Sequence, residues 1–448
     1  MSRVHVPLSI AAAAAIALGA LATARQPAAK APVLVEGARV LDVARGRYLP
    51  PAAVYVENGR IKSVTPEPPA SLPGGTVRIQ AAGSVLVPGL IDAHAWAAPT
   101  AGLEADYFYL MGLAHGVAGF RVINARTGWG VAQRERSIAG GILAPRLWTS
   151  GRGINQGASP DRWLFDATDP EVAVGEVRRQ IDAKVNWIAG YESLPPDIYT
   201  AMVGAARRSG VRISGRPGAS SMMDLAAAGV ASIETLGYPL EPRSGPAADA
   251  WPAVAARDLN ALQTRLVRGR VTLVPIMAAA LAGAFPEEAA GDPALALLPG
   301  ARREALKATL KKLPAADVAK AKRAWTSQAA FLKRFVGAGG RVAAGTGFEL
   351  AGYPVPGAGL HRELSALVRA GLPPIEAIRA ATSTAADLVG VQPASARFAA
   401  DADANFIVVS GDPLEKIEDL AAITHVVRAG EVFDPKVLFA RAMQARGR

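Results

Sequence analysis

Eight short apolar runs alternate with stretches of helical spacing through the middle of the chain, between Leu86 and Gly390. Strands that alternate with helices are typical of a parallel sheet, because each helix returns the chain to start the next parallel strand. Eight such units predict an α/β fold built on a TIM-type (β/α)8 barrel, whose chemistry lies at the C-terminal ends of the strands. The predicted strands are residues 87–95, 117–124, 146–150, 185–191, 211–215, 231–235, 271–275 and 341–346.

Both ends of the chain also have strand character. Asn58-Gly59 lies within one of these runs and predicts a type I′ hairpin turn. Neither end is long enough to bury both sides of a sheet alone, so we expect the two ends to pair. The sequence therefore predicts a small β-sandwich-like domain made of residues 33–86 and 395–434, with the barrel over residues 87–394. The strand-like runs are residues 33–41, 53–64, 77–87, 405–410 and 423–431.

The first 24 residues have the pattern of a signal peptide. Arg3 and His5 form a short basic region, residues 6–21 are apolar, and Ala22-Thr23-Ala24 matches the small-x-small cleavage pattern. An uncleaved anchor is the alternative, but about 16 apolar residues are short for a membrane span. We therefore predict cleavage after Ala24, export to the bacterial periplasm or medium, and no transmembrane span in the mature protein.

The chain contains no Cys and only five His, and these counts limit its chemistry. The absence of Cys excludes disulfides, thiolate zinc sites, iron–sulfur ligation and a Cys nucleophile. Any His-rich metal centre must be built from His5, His94, His115, His361 and His425. His5 leaves with the predicted signal peptide, so four His remain in the mature chain.

The formal net charge is +11, and residues 301–335 carry much of it. Ten Lys and Arg against two acids give this segment a local charge of +8. Its apolar residues recur at helical spacing on both sides of Pro314, which predicts two helices with a solvated basic face. We find no nucleic-acid motif and no interleaved aromatic residues, so no nucleic-acid partner is predicted. An anionic cell-envelope surface is the alternative role for this segment.

The sequence VLVPGLIDAH at residues 85–94 resembles the first-strand motif of the metal-dependent amidohydrolase superfamily, in particular its imidazolonepropionase-like and prolidase-like branch. The order and spacing of the further matches cover nearly all of the mature chain. They are GVAGFR (116–121), APR (144–146), WIAGYESLPP (187–196), SIE (232–234), AGT (344–346), LHREL (360–364), residues 375–388 and GDPL (411–414).

The resemblance implies hydrolysis of non-peptide or small peptide carbon–nitrogen bonds. A metal ion at the barrel mouth would lower the pKa of a bound water and polarise the scissile carbonyl. In the superfamily the ligands are an H-x-H pair on the first strand, a carboxylated Lys on the fourth, one His each on the fifth and sixth, and an Asp on the eighth.

In this sequence His94 is the one ligand of that set that is retained. The indole of Trp96 has no lone pair for a metal, and the guanidinium of Arg216 would repel a cation. His115, His361 and His425 do not lie at the ends of the fifth or sixth predicted strands, so a shifted alignment restores no ligand. We therefore predict a degenerate metal site and no metal cofactor. The former ligand positions are Trp96, Ala189, Arg216, Thr235 and Gly347.

Asp92, His94 and Glu349 are the catalytic candidates if the site is active in an altered form. Carboxylates alone would suit only a weak site for a hard cation. Arg216 requires a counter-charge, which Asp92, Glu192 or Glu349 could supply. It either forms a structural ion pair in the space that the metal left, or it binds the carboxylate of a ligand in a bidentate manner.

Two further side chains are candidates for ligand binding. Trp96 either fills the core or closes the cavity and stacks on a ligand. His361 either contacts the ligand or has a structural role where a helix starts. Glu192 and Arg216 complete this set of binding candidates.

Three functions remain open on the sequence alone. The first is a non-catalytic, amidohydrolase-like protein that binds a small molecule or peptide fragment. The second is an amide, lactam or ester hydrolase with a metal-free site or one Zn²⁺ or other divalent ion. The third is an accessory subunit, in a homo-oligomer or beside an intact relative. The sequence favours the first.

Overall fold

The computed structural model describes residues 30–95, 104–157, 164–241, 249–347, 355, 357–391 and 397–446. Several of the predicted features lie outside the described residues. They are the signal peptide, Trp96, Glu349 and the boundary between residues 394 and 395.

Strands and helices are numbered in chain order. The strands are β1 (Val33–Asp42), β2 (Arg47–Glu57), β3 (Arg60–Thr65), β4 (Val77–Gln80), β5 (Ser84–Pro88), β6 (Leu90–Ala95), β7 (Val117–Val122), β8 (Arg146–Thr149), β9 (Ile154–Asn155), β10 (Phe165–Asp166), β11 (Trp187–Gly190), β12 (Arg212–Gly215), β13 (Ser232–Glu234), β14 (Thr272–Val274), β15 (Arg341–Val342), β16 (Phe406–Ser410), β17 (Ile423–Arg428) and β18 (Glu431–Phe433). The α-helices are α1 (Ala105–Ala114), α2 (Thr127–Ile138), α3 (Pro170–Asp182), α4 (Pro196–Arg207), α5 (Met222–Ala228), α6 (Ala256–Arg268), α7 (Met277–Ala284), α8 (Pro286–Ala290), α9 (Gly300–Lys311), α10 (Ala315–Gly337), α11 (Ala358–Arg369), α12 (Pro374–Ala381), α13 (Ser383–Leu388) and α14 (Pro435–Ala445). Short 3₁₀ helices span Trp251–Ala253, Pro293–Leu297 and Ile417–Ala421.

Eight strands form the predicted parallel barrel, in the order β6, β7, β8, β11, β12, β13, β14 and β15. A bridge between Ser150 and Trp187 joins β8 to β11. The amide of Ala93 donates to the carbonyl of Ala344 over 2.8 Å, which joins β6 to the chain after β15 and closes the ring. Strands β6 and β7 are buried at every position, as expected where helices cover a parallel sheet. The (β/α)8 prediction is confirmed.

Helix α13 covers the N-terminal end of the barrel. The Arg212 guanidinium, at the start of β12, donates to the carbonyls of Asp387 and Leu388 over 2.9 Å each. Arg341, at the start of β15, forms an ion pair with Asp387. The opposite end, where the strands finish, is therefore the barrel mouth.

The two ends of the chain meet in one sheet, ordered β18-β17-β16-β5-β1-β2-β3, with β4 beside β1. One face has its own core, which includes Leu86, Phe406 and Val408. The residues that alternate with these, such as Val87 and Ile407, belong to the main core shared with the barrel. Asn58 and Gly59, between β2 and β3, both have positive φ (52° and 77°), so the type I′ turn is confirmed.

The basic segment forms α9 and α10, and Pro314 directly precedes α10. Its apolar residues Leu310 and Trp325 are buried, whereas most of its Lys and Arg side chains are exposed. The segment is thus a helix pair with a solvated basic face, as predicted. Among the described residues, no helix has the length and hydropathy that a membrane span requires.

Candidate functional site

A buried ion pair crosses the interior of the barrel. Arg121 of β7 is 0% exposed, and its Nη2 pairs with Oε1 of Glu234 on β13. Its Nη1 donates to Ser232 Oγ over 3.0 Å, and its Nε donates to the Ala93 carbonyl over 2.6 Å. The guanidinium also lies 4.6 Å from the centre of the Trp187 ring, which adds a cation–π contact. All three guanidinium nitrogens therefore have partners on other segments of the barrel.

Glu234 is held in its charged form by this network. Its Oε1 also accepts from Ser232 Oγ over 2.7 Å, and its Oε2 accepts from His94 Nδ1 over 2.7 Å. Burial opposes ionisation of Glu234, but the positive charge of Arg121 and the hydrogen bond from His94 outweigh it and lower the pKa of Glu234 to about 2. Both carboxylate oxygens are therefore engaged by the protein itself.

His94 lies in the barrel interior because Gly345 has no side chain. A Cβ at Gly345 would lie 2.6 Å from the Cβ of His94. The hydrogen bond to Glu234 uses His94 Nδ1, and Nε2 has no hydrogen-bond partner among the described residues. The His94 side chain is 10% exposed. His94 is thus oriented by a carboxylate through one ring nitrogen, and its other ring nitrogen has no partner in the described part of the chain.

Asp92 fastens β6 to the chain that follows β15. Its Oδ1 accepts from the amides of His94 and Thr346 over 3.0 Å each, and its Oδ2 accepts from Thr346 Oγ1 over 2.7 Å. Burial raises the pKa of Asp92 despite these hydrogen bonds. These contacts engage both carboxylate oxygens of Asp92 and hold its side chain in place.

An open cleft of about 420 Å³ lies at the barrel mouth, where β11 to β14 end. Arg216 lines it, and its Nη1 lies 3.3 Å from Oε2 of Glu192. The Arg216 side chain is 23% exposed and that of Glu192 is 48% exposed. The hydroxyl of Tyr199 accepts from the Arg216 amide over 3.1 Å and so fixes the backbone at this point. Gln328 of α10 also lines the cleft, so the basic segment borders the mouth.

Among the described residues at the positions that the resemblance assigns to metal ligands, only His94 carries an imidazole or a carboxylate. Ala189 is buried in β11 and offers no donor, and Arg216 places a positive charge at the mouth. Thr235 has a φ of 69° and lines the open cleft. At Gly347, where φ is 54°, a Cβ would lie 2.5 Å from Cδ1 of Ile276, so a side chain at this position would require the Ile276 side chain to shift. No group of three or more His, Asp or Glu suited to a metal occurs in the part of the chain that the structure describes.

His361 lies away from the residues that line the cleft. Its Nε2 donates to the His115 carbonyl over 2.9 Å, and burial lowers the pKa of His361.

Two residues further along α11, Glu363 is 0% exposed and accepts from the Ala278 amide through Oε2 over 2.7 Å. Its Oε1 has no hydrogen-bond partner within the described ranges. Burial, together with the charge of Asp92, raises the pKa of Glu363 to about 7.

The structure thus brings His94 together with two residues that the sequence analysis did not select, Arg121 and Glu234. Of the binding candidates, Arg216 and Glu192 meet at the cleft and His361 does not. A charged residue within an apolar barrel strand is a signal that was available, because such a charge requires a buried partner. The identity of that partner could not be obtained from local sequence.

Comparison with known proteins found no matching family model and no matching curated protein. Solved structures do match over most of the chain. Bottromycin amidohydrolase is 21% identical with a TM-score of 0.74, and the match covers 94% of this chain and 92% of that one. A Bifidobacterium longum structure described as a prolidase is 22% identical with a TM-score of 0.71, over 92% and 99%. A Xaa-Pro dipeptidase is 16% identical with a TM-score of 0.69, over 90% and 100%. At these identities the likeness establishes the fold alone, which is the fold that the resemblance implied.

Replacing Arg121 by Met should destabilise the protein strongly. The change leaves the buried Glu234 carboxylate without its cation, and breaking a buried pair from one side costs about 3–5 kcal/mol. Arg121→Met/Glu234→Gln should recover part of this loss, because no uncompensated charge remains. The free energy of unfolding in urea measures both effects. The exposed control Arg257→Met should change it by less than about 0.5 kcal/mol, and an Arg121→Met value that small would refute the role given to this pair.

Glu363 should make the stability depend on pH. Its pKa is raised in the folded state to about 7 from 4.5, so its contribution is fully present below about pH 4.5 and is lost as the pH rises through about 7. This pKa shift corresponds to a loss of about 3 kcal/mol in the free energy of unfolding over that pH range. Glu363→Gln keeps the acceptor for Ala278 but cannot ionise. The free energy of unfolding in urea of this variant, minus that of the wild type, should therefore increase by about 3 kcal/mol as the pH is raised from about 4.5 to about 8. A difference that does not change with pH would contradict the assignment.

Proposed function

We propose that the protein binds a small molecule or peptide fragment with a carboxylate at the barrel mouth, without the family's metal-dependent hydrolysis. The observation that carries this proposal is the position of Arg216, whose guanidinium lines the open cleft beside a half-exposed Glu192. Exposed ion pairs contribute little, so a ligand's carboxylate can compete with Glu192 for the guanidinium. Arg suits this purpose because its planar fork binds a carboxylate through two parallel hydrogen bonds.

The buried network supports the non-catalytic part of the proposal. Arg121 holds a permanent positive charge in the barrel interior, and Glu234 and His94 Nδ1 are bonded to each other instead of facing a cation. The described residues at the former ligand positions add no negatively charged side chain that would offset the charge of Arg121. A divalent ion would therefore have to displace an ion pair that already satisfies the interior.

The structural neighbours suggest the class of ligand. One is a Xaa-Pro dipeptidase with methionine bound in its active site, and another is a prolidase complexed with N-methylphosphonate-L-proline. Both molecules carry an α-carboxylate. A free amino acid or a short peptide with a free C-terminus would thus match the Arg216 cleft in both charge and size.

A second candidate function, a metal-free hydrolase, is favoured by the pairing of His94 with Glu234. A carboxylate that fixes the proton on Nδ1 leaves Nε2 as the basic nitrogen, which is the arrangement of a general base. His94 has this arrangement, with the hydrogen bond to Glu234 at 2.7 Å. In this function His94 would accept a proton from the attacking water, and Arg121 would keep Glu234 ionised.

The cellular setting that we propose follows from the N-terminal sequence. Export with cleavage after Ala24 would place the mature barrel in the periplasm or the medium, where amino acids and short peptides are available ligands. An assembly with an intact relative would be recognised by co-purification of a second barrel protein.

Carboxylate ligands should bind in a way that depends on Arg216. L-methionine and glycyl-L-proline should raise the melting temperature and give saturable heats in calorimetry, whereas L-methioninamide should not. Arg216→Ala should weaken binding by about tenfold or more, since a charge-assisted hydrogen bond is lost. Glu192→Gln is the matched control, and it should bind at least as tightly because it releases the guanidinium. Equal binding of the amide, or binding that survives in Arg216→Ala, would overturn the proposal.

Metal content and turnover distinguish the two candidate functions. The mature protein should contain well under one divalent ion per chain, and a stoichiometric ion that a chelator removes would contradict the proposal. Dipeptides, N-acyl amino acids, lactams and aryl esters should remain intact. Turnover that is insensitive to chelators and is abolished in His94→Ala would establish the metal-free hydrolase instead.

A further inference from the structure

A second large cleft, of about 590 Å³, lies at the opposite end of the barrel from the mouth. It is bounded by the chain between α2 and β8, by the edge of the sheet at β17 and β18, and by α14. Arg146 lines it at the start of β8, which places this cleft at the N-terminal end of the barrel strands. It shares no lining residue with the Arg216 cleft.

Cations outnumber carboxylates in this cleft. Its lining includes Lys30, Arg146, Arg428 and Arg441, against Asp403 and Glu431. Asp403 is itself shared, because it lies 3.6 Å from Arg146 Nη1 and 3.4 Å from Nη1 of Arg60. These long distances show that one carboxylate is divided between two guanidinium groups. The cleft therefore has a surplus of positive charge.

Arg428 is buried in this cleft and only weakly paired. Among the described residues it forms no salt bridge, and its hydrogen bonds to the Ala144 carbonyl and to Asn405 Oδ1 are both 3.3 Å long. Burial and the nearby charge of Arg146 lower its pKa, and the charge of Asp403 offsets them only in part. An anion placed between Arg146 and Arg428 would offset the cost of desolvation by charge attraction and would reduce the repulsion between the two guanidinium groups.

The cleft also has apolar lining residues. Ile138, at the end of α2, is 64% exposed, and Ile142, Leu143 and Phe433 line the cleft with it. Exposed apolar side chains in the same cleft as several cations match a molecule with an apolar body and an anionic head. A simple inorganic anion would leave these apolar side chains in contact with water.

We propose that this cleft binds a small amphiphilic anion, with its carboxylate or phosphate head between Arg146 and Arg428 and its apolar tail against Ile138. Guanidinium groups accept either head by the same paired hydrogen bonds, so an acyl carboxylate and an alkyl phosphate both fit the head position. The site is independent of the function proposed for the barrel mouth.

The test is calorimetric titration of the full mature protein with octanoate and with octyl phosphate at fixed ionic strength. Saturable binding of at least one is expected, and the tighter ligand identifies the head group. Acetate, inorganic phosphate and octanol should each bind at least about tenfold more weakly, because each lacks either the tail or the charge. If acetate or phosphate binds as tightly as its octyl counterpart, or if neither amphiphile saturates, the proposal is wrong.

Two variants locate the site. Arg428→Gln should weaken binding of the tighter amphiphile by about tenfold or more. Ile138→Glu, a change at an exposed position that leaves the fold intact, should do the same by placing a carboxylate beside the tail. Arg257→Gln, an exposed Arg outside both clefts, should leave the affinity unchanged. Binding that persists in Ile138→Glu, or that Arg257→Gln removes, would refute the assignment to this cleft.

Discussion

The ion pair between Arg121 and Glu234 is the interaction on which the interior of the barrel depends. The two residues lie on β7 and β13, which stand on opposite sides of the ring. A buried pair is tolerated only when its remaining hydrogen-bonding capacity is satisfied, and here Ser232, His94 and the Ala93 carbonyl supply those partners. The pair therefore ties together strands that form no sheet hydrogen bonds with each other.

The same pair determines what chemistry the interior can support. The fold offers the barrel mouth as a place for a cation, but the positive charge nearest to Glu234 is already a guanidinium. A guanidinium can neutralise and orient, but it has no open coordination position to activate a water. In the first proposed function the mouth acts by recognition through Arg216, and in the second His94 supplies the chemistry. The two candidate functions therefore depend on different residues, His94 for hydrolysis and Arg216 for ligand binding.

The architecture could be predicted from the sequence, but the pairing of charges could not. Strands and turns follow from neighbouring residues, whereas a buried charge pairs with a residue that is distant in the sequence. The strands follow from local alternation, and the hairpin at Asn58-Gly59 follows from two residues whose backbone tolerates positive φ. The partner of Arg121 lies 113 residues away. Arg216 had three possible counter-charges, and Glu192 is the one found beside it because β11 and β12 are neighbours in the ring. Glu363 was not predicted, since its partner is a backbone amide of α7.

Arg121, Arg216 and Arg428 differ in how completely their guanidinium groups are paired. Arg121 is fully buried with partners on other segments of the barrel, so any ligand would have to break an existing pair to reach it. Arg216 shares one half-exposed carboxylate at a cleft, and Arg428 forms no salt bridge with any carboxylate that the structure describes. At Arg428 burial has already removed much of the guanidinium from water, so an incoming anion would add attraction without the full cost of desolvating that cation. Arg216 and Arg428, two incompletely paired guanidinium groups, thus lie in clefts at opposite ends of one barrel.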